Sequence, residues 1–402
     1  MPSFDDLQNG FYNFMVRTLG FTNENNFQFI QPGVALPANT TDAAVWSFMN
    51  EIPLLSLVEG GSGGNQFFSD YEALLSALKP DVNIDFEGDI GSAANTAWQN
   101  FLAGLPNFPA VTQLPSLFFS WAFTHGFSSV AAKGASDLSA MLLEPIFRAQ
   151  LALQPYLSIP GVSTGKAPDW SVGYSDLANQ LAGAPSKSAQ SLDLHSQSDV
   201  SSTWTAGHSA VHFLLWNDNS NSSSSISERF ASQSVTFNMS FDHALTFVPV
   251  PGAWFESSAL GLAFGTQTGA PWNPADTEIT WAKTFGPNGN MQRFASSLIV
   301  VSGMNISASS ETILSGSDRT TIEQNKSHGF WPFYKKNSSS VITTETHFDN
   351  DNKLTIIQTS PPNVPILIGR TVLTAAQYVG FEAPARRQLL QLLSRSMERI
   401  AA

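Results

Sequence analysis

The stretch SVTFNMSF, residues 234–241, decides the class of fold. Its large apolar residues alternate with Ser, Thr and Asn, and this period of two is typical of a strand with one buried face. Residues 1–185 instead carry apolar side chains at helical spacing, as in FDDLQNGFYNFMVRTLGF at residues 4–21. The sequence therefore predicts an α+β protein, in which a helical N-terminal domain precedes a β-rich, sandwich-like C-terminal region.

Further strand patterns lie on the C-terminal side of this stretch. LIVV at residues 298–301 is typical of a fully buried strand, and GMNISASS at residues 303–310 alternates again. THFDNDNKLTII at residues 346–357 predicts a hairpin with a turn of four or five residues. VPILIG at residues 364–369 closes the predicted β region.

Composition and charge place the domain boundaries. Residues 1–200 hold 6 Lys and Arg against 18 Asp and Glu, whereas residues 201–402 hold 13 against 14. We predict an acidic helical domain over 1–185, a polar linker over 186–202, a β-rich domain over 203–383 and a basic amphipathic helix over 384–402. Leu389, Leu393, Met397 and Ile400 form the apolar stripe of that last helix.

The overall composition excludes several classes of protein. A net charge of −13 leaves no basic face for nucleic acid, and the absence of cysteine excludes disulfides, thiol catalysis and Fe–S ligation. The first residues lack the pattern of a signal peptide, and LPSLFFSWAF at residues 114–123 is too short to span a bilayer. We expect a soluble chain that is cytoplasmic or released by a non-classical route, with no cofactor.

Two aromatic-rich segments resemble each other. They are GHSAVHFLLWNDNSNSSSS at residues 207–225 and HGFWPFYKKNSSS at residues 328–340. Each places a His beside a Gly, continues with an aromatic-rich apolar run, passes into Asn and Ser, and leads towards a strand. This similarity predicts two related β units, over about 203–250 and 315–370. Chance similarity in a Ser-rich chain is the alternative.

The two aromatic runs are the candidate contact sites. Large rings are most often core residues, which is the simplest interpretation. As tips of polar hairpins they would instead be partly exposed, with the rings at a membrane interface and the lysines facing anionic headgroups. The candidate membrane or partner contacts are Phe213, Leu214, Leu215, Trp216, Phe330, Trp331, Phe333, Tyr334, Lys335 and Lys336.

Catalytic and metal motifs are weaker. EGGSGGN at residues 59–65 matches G-x-S-x-G at Ser62, but the preceding residues offer no parallel sheet, and no spacing ties His125 to that serine. A glycine-rich linker has the same composition. His208, His212 and His328 form a weak candidate metal site; histidines bonded to backbone groups are the preferred interpretation.

Two acidic patterns have alternative interpretations. Asp85, Glu87 and Asp89 would share one face of a strand, either as a cation or acid–base site or, preferably, as a solvated edge. FDNDNKL at residues 348–354 resembles the start of a calcium loop but lacks the later Gly and Glu, so a hairpin turn explains it better.

These observations favour a membrane-active, pore-forming, toxin-like protein that engages lipid through aromatic hairpin tips. The alternative is a non-enzymatic binding or self-assembling structural protein that contacts a protein partner or forms a homo-oligomer. A hydrolase or metal-dependent enzyme is the third hypothesis.

Overall fold

The chain folds into two compact units, each assembled from three separate stretches of sequence. Unit 1 comprises Met1–Gly64, Val172–Pro249 and Ala295–Leu373, and unit 2 comprises Asn65–Ser171, Val250–Phe294 and Thr374–Ala402. The fold is α+β, as the sequence predicts. The structure is a computed structural model, and the residues that it describes are 3–20, 26–54, 58–59, 65–81, 84–106, 108–158, 165–191, 214–216, 221–325, 329–333 and 341–380.

The helices and strands are numbered here along the chain. The helices are α1 (Phe4–Leu19), α2 (Asp42–Asn50), α3 (Phe67–Ala77), α4 (Phe86–Ile90), α5 (Ser92–Ala103), α6 (Leu114–Thr124), α7 (Ala131–Met141), α8 (Pro145–Leu153), α9 (Tyr174–Ala182), α10 (Asn221–Ala231), α11 (Ser257–Gly265), α12 (Trp281–Thr284), α13 (Gly316–Gln324) and α14 (Ala375–Tyr378). The strands are β1 (Phe27–Ala35), β2 (Val58–Glu59), β3 (Lys187–Ser191), β4 (Val235–Phe241), β5 (His243–Phe247), β6 (Arg293–Ser302), β7 (Asn305–Ile313), β8 (Thr343–Phe348), β9 (Lys353–Thr359) and β10 (Ile366–Thr374).

Two five-stranded sheets form the frame of unit 1. The mixed sheet has the order β2-β1-β10-β6-β5, and the serine-rich sheet has the order β3-β4-β7-β9-β8 with antiparallel neighbours. Strand β4 alternates buried with more exposed residues along its whole length. The strand prediction from SVTFNMSF is therefore confirmed, and its apolar residues face the core.

One hydrophobic core connects the parts of unit 1. It takes side chains from α1, α10 and strands of both sheets, among them Phe11, Phe230, Phe237, Ile299 and Ile356. Helix α1 begins at a capping box, in which Ser3 Oγ accepts from the Asp6 N–H at 3.1 Å, and ends at Gly20 in the left-handed conformation. The predicted first helix is thus present, but it packs within the unit that contains the sheets.

The division into units differs from the predicted domain boundaries. Strand β1 lies in a segment predicted to be helical, and Phe27 and Phe29 pair with Thr371 and Gly369 of β10. These backbone bonds place the first residues in unit 1. Residues 187–191 of the predicted linker form an edge strand, in which Ala189 pairs with Met239. Residues 192–202 and the predicted helix over 384–402 lie outside the described residues.

The two stretches predicted to be related units differ in the order of their elements. In the first, the aromatic run precedes helix α10, and β4 and β5 lie in different sheets. In the second, helix α13 precedes the aromatic run, and β8 and β9 are neighbours in one sheet. The Asn/Ser segment after the first run opens helix α10, where the sequence predicts a polar hairpin.

The hairpin predicted at residues 346–357 is confirmed by strands β8 and β9. Asp349 Oδ1 accepts the N–H groups of Asp351 and Lys353 at 2.9 and 2.8 Å, and Asn352 has a φ of +61°. This turn uses the carboxylate that the calcium-loop pattern suggested as a ligand.

Unit 2 is mainly helical and holds the acidic residues expected on a strand. Asp85 caps helix α4 by accepting the Gly88 N–H at 2.9 Å, and Asp89 forms an ion pair with Lys133 at 2.8 Å. Lys133 lowers the pKa of the Asp89 carboxyl. The strand prediction is wrong here, because the side chain of Asp85 satisfies a free N–H group at a helix start.

Candidate functional site

The described parts of the two aromatic runs pair with each other inside unit 1. Trp216 and Phe330 form an antiparallel bridge with their rings 6.2 Å apart, and the Trp331 N–H donates to the Leu215 carbonyl at 2.9 Å. The structure thus brings together two segments that are more than 100 residues apart in the chain. Leu215, Trp216, Phe330, Trp331 and Phe333 are all 2% exposed or less, and Leu214 is half-buried.

Trp331 lies at the centre of an aromatic cluster. The rings of Phe4, Phe11 and Phe237 surround it edge-on, with centroids 5.5, 4.9 and 5.7 Å away. The expectation of partly exposed hairpin tips does not hold for the five buried residues of the runs, because the unit 1 core already covers them. Their role as membrane or partner contacts stays a prediction. Phe213, Tyr334, Lys335, Lys336, His208, His212 and His328 lie outside the described residues.

Buried polar side chains hold the backbone of these runs. Gln358 Nε2 on β9 donates to the carbonyls of Phe330 and Phe333 at 2.7 and 3.1 Å. Ser227 Oγ on α10 accepts from the Leu215 N–H at 2.7 Å. The sequence analysis missed both residues, although Gln358 has a visible signal: it is a polar residue at an inward position of KLTIIQT, where Leu354 and Ile356 precede it.

Among the described residues, no assembled catalytic or metal site supports the enzymatic hypotheses. Within the described part of the chain, no three His, Asp or Glu residues are grouped as metal ligands. Ser62 lies outside the described residues, and His125 is an exposed residue whose Nδ1 lies 2.9 Å from the Trp121 carbonyl. Among the described helices, none combines the length and hydropathy needed to cross a bilayer.

A charge-free segment in unit 2 provides a different candidate surface. Residues 90–132 contain no Asp, Glu, Lys or Arg, and His125 is their one titratable side chain. At the 13% charged fraction of the whole chain, a segment of this length would carry about five or six charges. Helices α5 and α6 belong to this segment, and Trp98, Phe118 and Trp121 pack at its core.

Helix α6 carries aromatic rings on its outer side as well as its inner side. Phe119 and Phe123, here called the α6 aromatic pair, are 42% and 57% exposed, and their ring centroids are 5.0 Å apart. The i,i+4 spacing places them on one face of the helix. Aromatic residues this exposed have large contact areas available for a ligand, a membrane or another protein.

Two hydroxyl groups beside the α6 aromatic pair are bonded within the helix region. Ser116 Oγ donates to the Gln113 carbonyl at 2.9 Å, and Thr124 Oγ1 donates to the Trp121 carbonyl at 3.0 Å. Because these groups already have acceptors, removing water from this surface costs less than removing it from unbonded hydroxyls. The segment therefore combines two exposed rings, an absence of charged residues and two internally bonded hydroxyls.

Three tyrosines of unit 2 have raised pKa values. Burial raises the pKa of Tyr71 and Tyr378, and it raises the pKa of Tyr156 to about 12, with Asp169 adding to the shift. Tyr71 Oη also bonds the Glu256 backbone, donating to its carbonyl at 3.2 Å and accepting from its N–H at 3.0 Å. The hydroxyls of Tyr71 and Tyr156 therefore act as structural hydrogen-bonding groups, the latter by donating to Asp169 Oδ1 at 3.0 Å.

Comparison of the chain with protein-family models, with curated proteins and with solved structures gave no match.

Proposed function

We propose that this is a membrane-active protein that attaches to lipid surfaces through the α6 aromatic pair. The observation that carries the proposal is the exposure of Phe119 and Phe123 within a charge-free segment of 43 residues, 90–132. Placing a charged side chain against lipid is costly, so a surface without charges is suited to the bilayer interface. The bonded hydroxyls of Ser116 and Thr124 support the same use.

The area of the two rings is large enough to matter. A phenylalanine side chain buries about 150–250 Å², so about half of that area on each ring remains to be covered. At about 25 cal/mol per Å², full insertion of each ring would contribute about 2–3 kcal/mol. This corresponds to a roughly 30- to 150-fold increase in the membrane partition coefficient for each inserted ring.

Pore formation in the manner of a toxin is the finer form of the proposal. It requires segment 90–132 or the buried aromatic runs to leave their present packing, since the rings of the runs are covered by the unit 1 core. Attachment alone requires no such change, because the α6 aromatic pair is already exposed. Vesicle binding and vesicle leakage are therefore separate measurements.

Flotation with neutral phosphatidylcholine vesicles tests attachment. We expect the wild-type chain to float with the vesicles and the double variant Phe119→Ser with Phe123→Ser to lose at least tenfold in partitioning. Replacing exposed Val248 and Ile313 with Ser is the matched control, because it removes two apolar side chains from unit 1, and this control should bind normally.

Added phosphatidylserine should weaken binding at low salt, because the chain carries a net charge of −13. Equal binding by the wild type and the α6 double variant would overturn the proposal, as would failure of the wild type to float. Dye release from the same vesicles reports whether attachment leads to leakage.

Self-assembly is the second candidate function, and the same exposed pair favours it. An apolar face of this kind is also suited to an identical face on a second copy. Sedimentation velocity separates the two functions. Self-assembly would be the better proposal if the wild type is an oligomer that does not float with vesicles and if the Phe119→Ser, Phe123→Ser variant is a monomer.

A further inference from the structure

We infer that the outer face of the serine-rich sheet holds a binding site for neutral, hydroxyl-rich ligands, of which short oligosaccharides are the chemical class. An open groove of about 520 Å³ lies on four adjacent strands of this sheet, β3, β4, β7 and β9. Its volume falls within the range of about 300–1,000 Å³ that is typical of small-molecule sites. The groove lies wholly within unit 1, whereas the α6 aromatic pair belongs to unit 2.

The strand registers show how the groove is constructed. Ser240 lies opposite Ser188 on one side and Asn305 on the other. Asn238 lies opposite Ser307, which in turn pairs with Ile357. These two rows cross the sheet on the face opposite to the buried Phe237 and Phe241, because alternate residues of a strand point to opposite faces.

The side chains in these rows determine the class of ligand. Hydroxyl and amide groups both donate and accept hydrogen bonds, so they match the paired hydroxyls of a sugar. None of the side chains that line the groove is charged, so the described site offers no oppositely charged partner for a phosphate, a carboxylate or an ammonium group. Half-buried Ile357 adds a small apolar surface on which the C–H face of a sugar ring can lie.

A neighbouring row of the same sheet provides a contrast. There Ser309 Oγ lies 2.9 Å from Thr355 Oγ1, so these two hydroxyls satisfy each other. In the groove, Asn238 Nδ2 makes one long bond of 3.3 Å to Ser307 Oγ, and Asn238 and Asn305 are both exposed. The amide groups of the groove are thus available to a ligand, whereas the adjacent hydroxyl pair bonds internally.

A printed array of neutral, sialylated and sulfated glycans tests the inference, followed by calorimetry with the best neutral oligosaccharide. We expect saturable binding to neutral glycans, and binding about tenfold to a hundredfold weaker in the double variant Asn238→Ala with Asn305→Ala. The matched control, Ser309→Ala with Thr355→Ala, removes two hydroxyls from the same face outside the groove and should bind as the wild type does.

Three results would overturn the inference. They are no binding to any neutral glycan at millimolar concentration, a preference for sialylated or sulfated glycans, and undiminished binding by the Asn238→Ala, Asn305→Ala variant. The Phe119→Ser, Phe123→Ser variant should keep glycan binding, so failure of this site and failure of membrane attachment are distinguishable. Comparison of the free oligosaccharide with vesicles carrying it as a glycolipid identifies the source of the sugar.

Discussion

Replacing Trp331 with Ala is the sharpest test of the aromatic core of unit 1. The side chain is 2% exposed, and three rings from two other elements, α1 and β4, surround it at centroid distances of 4.9–5.7 Å. Its burial removes about 150–250 Å² from water, which at about 25 cal/mol per Å² corresponds to about 4–6 kcal/mol. Measured Trp-to-Ala changes in cores cost about 3–5 kcal/mol, and we expect a loss of that size.

Urea unfolding followed by far-ultraviolet circular dichroism measures this loss. Tryptophan fluorescence is unsuitable, because Trp331 is itself one of the 10 tryptophans that report. Trp331→Phe should recover part of the stability, since a smaller ring still touches Phe11 and Phe237. The Phe119→Ser, Phe123→Ser variant removes rings that are 42% and 57% exposed, so each of its substitutions should cost less stability than Trp331→Ala does.

A double-mutant cycle with Phe11→Ala tests the contact itself. The two ring centroids are 4.9 Å apart, so the two losses should be coupled by about 0.5–1.5 kcal/mol and should not add. An unchanged urea midpoint for Trp331→Ala would refute the reasoning, and the partly exposed hairpin tip would again be the better interpretation of residues 329–333.

Three further predictions concern buried polar groups. Gln358→Leu should lower the free energy of unfolding by about 2–4 kcal/mol in the same urea assay, because two buried carbonyls of the aromatic run lose their donor. Glu51→Gln should also destabilise, because Arg370 is fully buried and loses a charged partner at 3.4 Å; urea midpoints again measure the effect, and an unchanged value contradicts it. Burial raises the pKa of Tyr71 and Tyr378, so the folded state keeps protons that the unfolded chain releases above about pH 10. Stability should therefore fall above about pH 10, by up to about 1.4 kcal/mol per pH unit for each hydroxyl, and a midpoint that is constant from about pH 9 to 12 contradicts this.

Strands with one buried face were predictable from the sequence. The alternation in β4, β7 and β9 follows directly from the burial of every second side chain. The β8–β9 turn was predictable for a local reason, since Asp349 bonds the backbone two and four residues further on. Each of these features depends on contacts within one strand or one turn.

The division into units depends on contacts between distant residues, which local patterns do not show. Gln28 of β1 pairs with Arg370 of β10, more than 300 residues away, and Arg370 Nε donates to Gln28 Oε1 at 2.8 Å. Such pairing carries the first residues into unit 1, although the segments around β1 have helical periodicity. The local pattern of a single sequence does not show which two strands will pair when they are several hundred residues apart.

The surroundings of the aromatic rings were also not predictable from local sequence patterns. The two aromatic runs resemble each other in composition, and the structure places them side by side, with Trp216 bridged to Phe330 in one core. Shared surroundings give a physical reason for that resemblance without two related units, because both runs supply large rings to the same core. Helix α6, in contrast, is aromatic on both faces, so periodicity alone does not tell which of its rings are exposed. The available signal in the sequence was the lack of charge in residues 90–132. A segment of 43 residues whose exposed side chains include no charged residue is unusual where the surface contacts only water. For that reason the exposed rings of α6, rather than the buried rings of the runs, are where a membrane contact is to be tested first.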